Sequence, residues 1–198
     1  MNYIFDFGDV FINLDKSATR RELVRLGMTD FTDEMLHVNK LYEKGLIGTD
    51  DFLSFYHKQF PSASISELKD AWNSIILDFP EYRLDFLESF SKKHNCYLLS
   101  NINDLHLTFI KESLDESFYN RFINCFVEIY FSHEIHLRKP DNEIFIYVLN
   151  DAKLQANECL FIDDTKENID TAQQLGMHAL HLLPDLDIIV LAEKYENM

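Results

Sequence analysis

From residue 81 onward the sequence alternates short apolar runs with amphipathic helical segments, and this alternation restricts the fold more than any other feature. Apolar runs fall at residues 96–99, 125–129, 159–162 and 179–182, and another lies near the N-terminus at residues 3–5. Strands that alternate with helices form parallel sheets, because right-handed crossovers place the helices on both faces. The sequence therefore predicts an α/β fold with a parallel, Rossmann-like sheet and helices on both faces.

Between the first two apolar runs, the chain has helical periodicity and encodes about four helices. These predicted helices end near a glycine or a proline: Gly27, Gly45, Pro61 and Pro80. We predict that residues 15–80 form an inserted helical-bundle cap. Residues 1–14 and 81–198 would form the α/β core domain, with the cap as a lid over the strand ends.

The charge of the chain limits its partners. The 34 Asp and Glu residues outnumber the 18 Lys and Arg residues, so the formal net charge is −16. Such a field repels nucleic acids and anionic membranes, and we expect neither as a partner. An anionic substrate would have to be held locally, by a metal ion or a well-placed cation. The sequence does not predict an oligomeric state.

Cysteine usage and the N-terminus indicate the compartment. The three cysteines, Cys96, Cys125 and Cys159, each lie in an apolar run, which favours buried, reduced thiols over disulfides or a zinc site. The N-terminus begins with a strand rather than a basic segment followed by an apolar stretch, and no apolar run is long enough to span a membrane. These features predict a cytoplasmic location.

Polar residues stand directly after three predicted strands and at the start of one helix. Asp6 follows residues 3–5, Ser100 and Asn101 follow residues 96–99, and Asp163 and Asp164 follow residues 159–162; Lys139 precedes Pro140 at a helix start. Because the carboxyl ends of parallel strands share one edge of a sheet, we expect these groups to converge there.

The chemistry of such a cluster is that of phosphoryl transfer. Asp6, Asp163 and Asp164 offer hard oxygen ligands for Mg²⁺, while Lys139 and Ser100 offer a positive charge and a hydroxyl donor to phosphoryl oxygens. An aspartate beside the metal can attack phosphorus and form an aspartyl-phosphate that water later cleaves. Each segment alone is also compatible with an ordinary cap, turn or surface lysine. The combination in this order is far more specific than any one segment.

The same segments resemble the haloacid dehalogenase-like hydrolase superfamily. The matching stretches read FDFGDV from Phe5, LSN from Leu99, RKPDNEIF from Arg138 and FIDDTKENI from Phe161. The resemblance covers nearly the whole chain. The helical lid between the first and second motifs is similar to that of the small-lid subgroup, which contains many sugar-phosphate phosphatases.

The resemblance implies a role for each matching residue. Asp6 would be the nucleophile and a metal ligand, with Lys139 as its catalytic partner, and the Gly8 carbonyl, Asp163 and Asp164 would complete the Mg²⁺ site. Ser100, Asn101 and Lys139 would bind the phosphate of the substrate. Asn168 would support the metal ligands from behind.

One position departs from the usual pattern of the superfamily. Its phosphatases usually carry a second aspartate two residues after the nucleophile, as general acid and base, and this chain has Gly8 there. Asp9 is one residue further on, where its side chain should point elsewhere. The first motif is similar to that of bacterial glucose-1-phosphate phosphatase-like proteins, which also have glycine here. A good leaving group, or an acid from the lid such as Glu43 or Asp50, would partly compensate for the missing aspartate.

Three functional hypotheses follow. The first is a Mg²⁺-dependent phosphatase that hydrolyses a small phosphorylated metabolite, with a sugar phosphate favoured, through an aspartyl-phosphate. The second is a catalytically weak or inactive protein that binds or senses a phosphate ligand, because Gly8 replaces the acid. The third is a metal-independent haloacid dehalogenase, against which the acidic pair Asp163 and Asp164 argues.

Overall fold

The computed structural model describes residues 1–190, and in that part of the chain five parallel strands form one sheet. The strands are β1 (Asn2–Phe5), β2 (Asn95–Ser100), β3 (Glu128–Phe131), β4 (Cys159–Asp163) and β5 (His178–His181). Their order across the sheet is β3-β2-β1-β4-β5, with every neighbouring pair parallel. The predicted α/β class with a parallel sheet is confirmed. Residues 191–198, the end of the predicted core domain, lie outside the described residues.

Helices connect the strands and fill the insert. They are α1 (Ala18–Arg25), α2 (Asp33–Glu43), α3 (Thr49–Gln59), α4 (Ile65–Asn73), α5 (Glu81–Ser91), α6 (Asp104–Ser113), α7 (Glu116–Ile123), α8 (Ser132–Ile135), α9 (Asn142–Asp151) and α10 (Lys166–Gln174). Successive side chains of a strand point to opposite faces, and β1 shows the result. Tyr3 and Phe5 belong to one hydrophobic cluster and Ile4 to another. The sheet is therefore buried on both faces, as crossover helices require.

The sequence placed one strand and one helix end wrongly. Residues 125–127 precede β3 instead of opening it, because α7 and the turn after it occupy the chain through Cys125. Helix α4 ends at Asn73, although the helical periodicity continues to Ile76. Residues 74–78 leave the helix to run alongside residues 13–15, with a bridge between Leu14 and Ile76. This pairing joins the two ends of the insert.

The insert has a hydrophobic core of its own. Buried side chains of α1 to α4, among them Leu23, Tyr56 and Trp72, form one cluster, which Leu105 of α6 joins from outside the insert. The two chain segments that enter and leave the insert hydrogen-bond to each other, from the Asn13 amide to the Asp78 carbonyl at 2.8 Å. On this basis we propose that residues 15–80 form a cap on the α/β core.

Three carbonyl groups at the C-terminal ends of α2 and α4 accept hydrogen bonds from side chains outside the insert. Ser132 Oγ donates to the Glu43 carbonyl at 2.7 Å, and His136 Nδ1 donates to the Lys44 carbonyl at 2.9 Å. His106 Nε2 donates to the Trp72 carbonyl at 3.0 Å. The last carbonyls of a helix have no partner within the helix. Residues beyond the insert therefore complete these two helix ends.

Gly45 lies against the backbone of α8. Its φ is +62°, and a Cβ built on it would lie 2.0 Å from the His133 carbonyl oxygen. We expect Gly45→Ser to lower the free energy of unfolding by at least ~2 kcal/mol, because a left-handed residue with a side chain costs ~1–2 kcal/mol and the backbone contact must also open. Urea unfolding measures this. Gly48→Ser is the matched control, since a Cβ there meets nothing within 4 Å; equal stability of the two variants would contradict the contact.

Two observations bear on the predicted compartment: the state of the cysteines and the character of the helices. Cys96, Cys125 and Cys159 are free and buried, as the sequence predicts, although Cys125 follows a helix rather than lying in a strand. Within residues 1–190, none of the helices has the length and the apolar character needed to cross a bilayer.

Candidate active site

The predicted site residues meet at the carboxyl edge of the sheet. Phe5 pairs with Leu98 of β2 and Ile162 of β4, so Asp6 emerges between the ends of these two strands. Ser100 and Asp163 are the last residues of those strands. The central position of β1 thus brings the carboxylate of Asp6 next to groups carried by both neighbours.

Lys139 is the buried cation of this edge. Its ammonium is 2.8 Å from Asp6 Oδ1 and 2.7 Å from Asp163 Oδ2, and it donates to the Leu99 carbonyl at 2.8 Å. The side chain is 1% exposed. Burial disfavours its charged form, but the two carboxylates outweigh burial and raise the pKa of Lys139. Lys139 is therefore held as a positive charge between two acids.

Asp6 is buried together with this ammonium. Burial raises the pKa of the Asp6 carboxyl to about 7, an effect that Lys139 opposes and the nearby Asp163 reinforces. The Asp6 amide donates to the Ile162 carbonyl at 2.9 Å, which fixes its backbone to β4. The carboxylate is thus positioned by the sheet, with the Lys139 ammonium beside it.

Asp163 is held by three different donors. Besides Lys139, the Thr165 amide donates to Oδ1 at 2.7 Å, and Asn168 Nδ2 lies 3.0 Å from both carboxylate oxygens. Asn168 thus stands behind the acids, as the resemblance implies. The neighbouring Asp164 is half-buried and pairs with Lys16. These contacts orient the two consecutive carboxylates differently.

The acids fit a divalent cation. One ligand oxygen from each of Asp6, Asp163 and Asp164 lies within 4.8 Å of the others. Hard carboxylate oxygens at this separation are the donor set that Mg²⁺ prefers. Among residues 1–190, two buried carboxylates share one buried ammonium, so the centre carries excess negative charge that a cation would neutralise.

Asn101 and Ser100 stand in different relations to Lys139. Asn101 Nδ2 donates to the Lys139 carbonyl at 2.8 Å, and Asn101 Oδ1 accepts from the Lys139 amide at 2.8 Å. The amide group therefore clamps the backbone that carries the ammonium, and its contact with substrate stays a prediction. Ser100 Oγ has no hydrogen-bond partner among residues 1–190 and lines the cavities at the site. It remains available to a phosphoryl oxygen.

Asp9 turns away from the position that the missing aspartate would occupy. Its φ is 53°, Oδ1 accepts from the Leu14 amide at 3.0 Å, and Oδ2 is 3.1 Å from Lys16 Nζ. The expectation that Asp9 points elsewhere agrees with this geometry. Sequence reasoning missed Lys16, which bridges Asp9 and Asp164. A lysine in a polar loop gives no local signal of such a pairing.

The two candidate acids from the insert differ in place. Glu43 lines the site, but its Oε2 is paired with Arg138 Nε at 2.6 Å. Asp50 is exposed in the first turn of α3 and lines neither cavity at the site. The pairing with Arg138, a residue that the sequence did not single out for function, joins the insert to the strand edge.

Two cavities adjoin at the strand edge. One, of about 360 Å³, is lined by Asp6, Lys139, Asp164 and neighbouring polar groups. The other, of about 350 Å³, lies between the insert and the sheet edge and has many apolar walls, including Phe52 and Trp72. The cavities share six residues: Gly8, Leu14, Glu43, Ser100, Asn101 and Arg138. A ligand can therefore place an anionic group among the polar residues and its remaining atoms in the second cavity.

A family model and several known proteins are similar to this chain. The family model described as haloacid dehalogenase-like hydrolase matches residues 3–182. A protein of Bacteroides thetaiotaomicron named D-ribitol-5-phosphate phosphatase is 27% identical over 186 residues, covering 88% of each chain.

Two solved structures are also similar. A HAD family enzyme of B. thetaiotaomicron, in complex with magnesium and inorganic phosphate, superposes with a TM-score of 0.83 at 30% identity, covering 96% of this chain and 98% of that one. A predicted HAD-like family hydrolase of Porphyromonas gingivalis has a TM-score of 0.84 at 23% identity, covering 100% of this chain and 98% of that one; at this identity it supports the fold alone.

Proposed function

Because the chain belongs to the haloacid dehalogenase-like hydrolases, we propose that it is a Mg²⁺-dependent phosphatase that hydrolyses a small phosphorylated metabolite. One observation carries the proposal. Three carboxylates, Asp6, Asp163 and Asp164, gather within 4.8 Å beside the buried ammonium of Lys139. A metal-independent dehalogenase does not need several acids around its nucleophile, because each added carboxylate opposes the ionisation of the others.

The residues of the chain divide the work of phosphoryl transfer. Asp6 attacks phosphorus through a carboxylate oxygen and forms an aspartyl-phosphate, which water then hydrolyses. Lys139 neutralises negative charge beside the attacking oxygen, and Ser100 donates its hydroxyl to a phosphoryl oxygen. Asn101 holds the Lys139 backbone, and Asn168 holds Asp163. Mg²⁺, when bound by Asp6, Asp163, Asp164 and the Gly8 carbonyl, would supply further positive charge for the transferring group.

We propose a sugar phosphate as the substrate class. Two things support this: a relative at 27% identity bears the name D-ribitol-5-phosphate phosphatase, and the cavity of about 350 Å³ next to the polar edge has room for a small organic group. Residues 15–80 would act as the lid that selects this group. Because the net charge of the chain is −16, we expect neither nucleic acid nor membrane as a partner. We propose a cytoplasmic location from the three free thiols.

A substrate screen tests the function. We expect the purified protein with Mg²⁺ to release phosphate over many turnovers from members of a panel of sugar and aryl phosphates. Chelator should stop the release, and added Mg²⁺ should restore it. Mg²⁺-dependent binding of the same compounds without turnover would support a binding or regulatory protein instead. Halide release from haloacids that persists in chelator would support a dehalogenase.

A further inference from the structure

We propose that Arg138 and Glu43 together select substrates that carry a hydroxyl group on the carbon next to the phosphorylated one. The inference rests on the proposed function and narrows its substrate class to sugar and polyol phosphates with this arrangement. It follows from the position of the pair between the two cavities, and from the hydrogen-bonding atoms that the pair leaves without a partner.

The residues shared by the two cavities border the passage between them, which we call the neck. They are Gly8, Leu14, Glu43, Ser100, Asn101 and Arg138. Lys16, Thr165 and Glu167 line the polar cavity but not the apolar one, so they lie on the phosphate side of the neck. A substrate whose phosphate reaches Asp6 and whose remaining atoms occupy the apolar cavity must therefore place its first carbons in the neck.

The polar residues of the neck differ in what they can offer to these carbons. Ser100 faces the phosphoryl group in the proposed reaction. Asn101 uses both ends of its amide on the backbone of the catalytic lysine, at 2.8 Å each. The two apolar residues of the neck have no polar side-chain atom. The atoms just beyond the phosphate therefore meet Arg138 and Glu43.

The ion pair between these two residues leaves donors and an acceptor free. Arg138 Nε donates to Glu43 Oε2 at 2.6 Å, and within residues 1–190 neither the Arg138 Nη atoms nor Glu43 Oε1 has a hydrogen-bond partner. The two side chains are 23% and 28% exposed, so the pair is partly withdrawn from water. A guanidinium only donates hydrogen bonds, and an ionised carboxylate only accepts them. The neck thus presents N–H groups and a carboxylate oxygen on one ion pair.

A hydroxyl group matches this combination, because it both donates and accepts hydrogen bonds. An ether or ketone oxygen would satisfy Arg138 but leave Glu43 without a donor, and a methylene group would satisfy neither. Sites that hydrogen-bond a substrate hydroxyl discriminate strongly against analogues that lack it, because their own polar groups then lose water without gaining a partner. The pair therefore reads the hydroxyl nearest to the phosphate.

Beyond the neck, the polar side chains of the apolar cavity are mostly engaged with the protein itself. The Tyr42 hydroxyl, Asn39 Oδ1 and His106 Nε2 each have a hydrogen-bond partner in another residue. Asn103 Nδ2 contacts the His106 ring at 3.2 Å. Lys40 is exposed to solvent on α2. A hydroxyl group farther from the phosphate therefore contributes less to recognition than the one at the neck.

Two isomeric phosphates test this selection in wild-type protein with Mg²⁺. 2-Hydroxypropyl phosphate carries its hydroxyl on the carbon next to the phosphorylated one, and 3-hydroxypropyl phosphate carries it one carbon farther on. Both contain the same atoms and release a primary alcohol. We expect kcat/KM for the better enantiomer of the first to be at least ~10-fold higher, which is the effect of one hydrogen bond to a charged group. Values within about threefold would overturn the inference.

Arg138→Met separates recognition from a structural role, and Lys40→Met is the matched control at a cation that lines the apolar cavity alone. We expect Arg138→Met to bring the two isomers within about threefold of each other, whereas Lys40→Met keeps the wild-type ratio. If the ion pair only ties the insert to the core, Arg138→Met lowers both rates together and the ratio stays unchanged. That result would count against the inference, whatever the loss of activity.

The outcomes for the function and for this inference are distinct. If turnover of the two isomers is too slow to measure, their inhibition constants against the best substrate of the screen give the same ratio. A protein that hydrolyses sugar phosphates but does not distinguish the isomers keeps the proposed function and excludes the role of Arg138 and Glu43. Release of phosphate from no compound of the panel is the failure of the function itself.

Discussion

Replacing Asp6 by asparagine is expected to reduce phosphate release by at least ~10⁴-fold, the order of loss seen when a covalent nucleophile is removed. The amide keeps the shape of the side chain but is a poor nucleophile towards phosphorus. Its charge also disappears beside Lys139, whose ammonium lies 2.8 Å from Asp6 Oδ1. Turnover with the best substrate of the screen, in saturating Mg²⁺, measures the effect.

Two controls separate loss of chemistry from loss of structure. Asp85→Asn makes the same change at an exposed residue of α5 and should leave activity within about twofold, since surface changes alter stability by only ~0.5 kcal/mol. Acid quenching of the wild-type reaction, followed by mass spectrometry, should find a phosphoryl group on the peptide that contains Asp6. Substantial turnover by Asp6→Asn would exclude Asp6 as the nucleophile.

Lys139→Met is expected to destabilise the protein by ~3–5 kcal/mol, because it leaves two buried carboxylates without their cation. Asp6 and Asp163 are the two partners, at 2.8 and 2.7 Å. The effect should be larger in chelator at about pH 8 than at pH 6. Burial raises the pKa of Asp6 to about 7 while Lys139 is present, and without this ammonium, which lowers that pKa, ionising the buried carboxyl costs more. Urea unfolding measures the loss, and activity should fall by ~10²–10³-fold.

Magnesium should distinguish the electrostatic origin of this loss from simple loss of packing. A divalent cation that binds the native acids stabilises the folded state by mass action, so Mg²⁺ should restore part of the stability of Lys139→Met. Lys69→Met, at an exposed residue of α4, is the matched control and should change stability by less than ~0.5 kcal/mol. A Lys139→Met variant as stable as this control would contradict the buried ion pairs.

The sequence predicted the sheet well because its strands are short, apolar and bounded by polar residues. Runs at residues 96–99 and 159–162 lie inside β2 and β4, and the residues that follow them reach the site. Local periodicity failed where long-range pairing decides the structure. Residues 74–78 continue the apolar spacing of α4, yet they pair with residues 13–15 at the base of the insert. The apolar run from Cys125 was assigned wholly to a strand, because α7 and its Asp115 cap were not recognised.

In the candidate site, too, the local sequence predicts which residues lie at the strand ends but not which partners they contact. Acids and a lysine at strand ends can be read from sequence, because parallel strands share one edge. The ion pairs that these groups form cannot be read from the sequence, because the partners are far apart along the chain. Lys16 lies 148 residues from Asp164, and Arg138 lies 95 residues from Glu43. Asn101 illustrates the limit: the substrate binding that the resemblance implies stays a prediction, and the contact of its amide with the Lys139 backbone, 38 residues away, could not be predicted from the sequence. Only folding brings such partners together.

The three carbonyl groups at the ends of α2 and α4 bear on any attempt to exchange substrate selectivity by grafting. Ser132, His136 and His106 donate to them, and all three donors lie outside residues 15–80. A foreign insert placed on this core would meet these donors with carbonyls in other positions, and this insert placed on another core would lose them. A chimaera that moves residues 15–80 to another core should therefore also carry these three side chains, even though they lie outside the insert in the sequence.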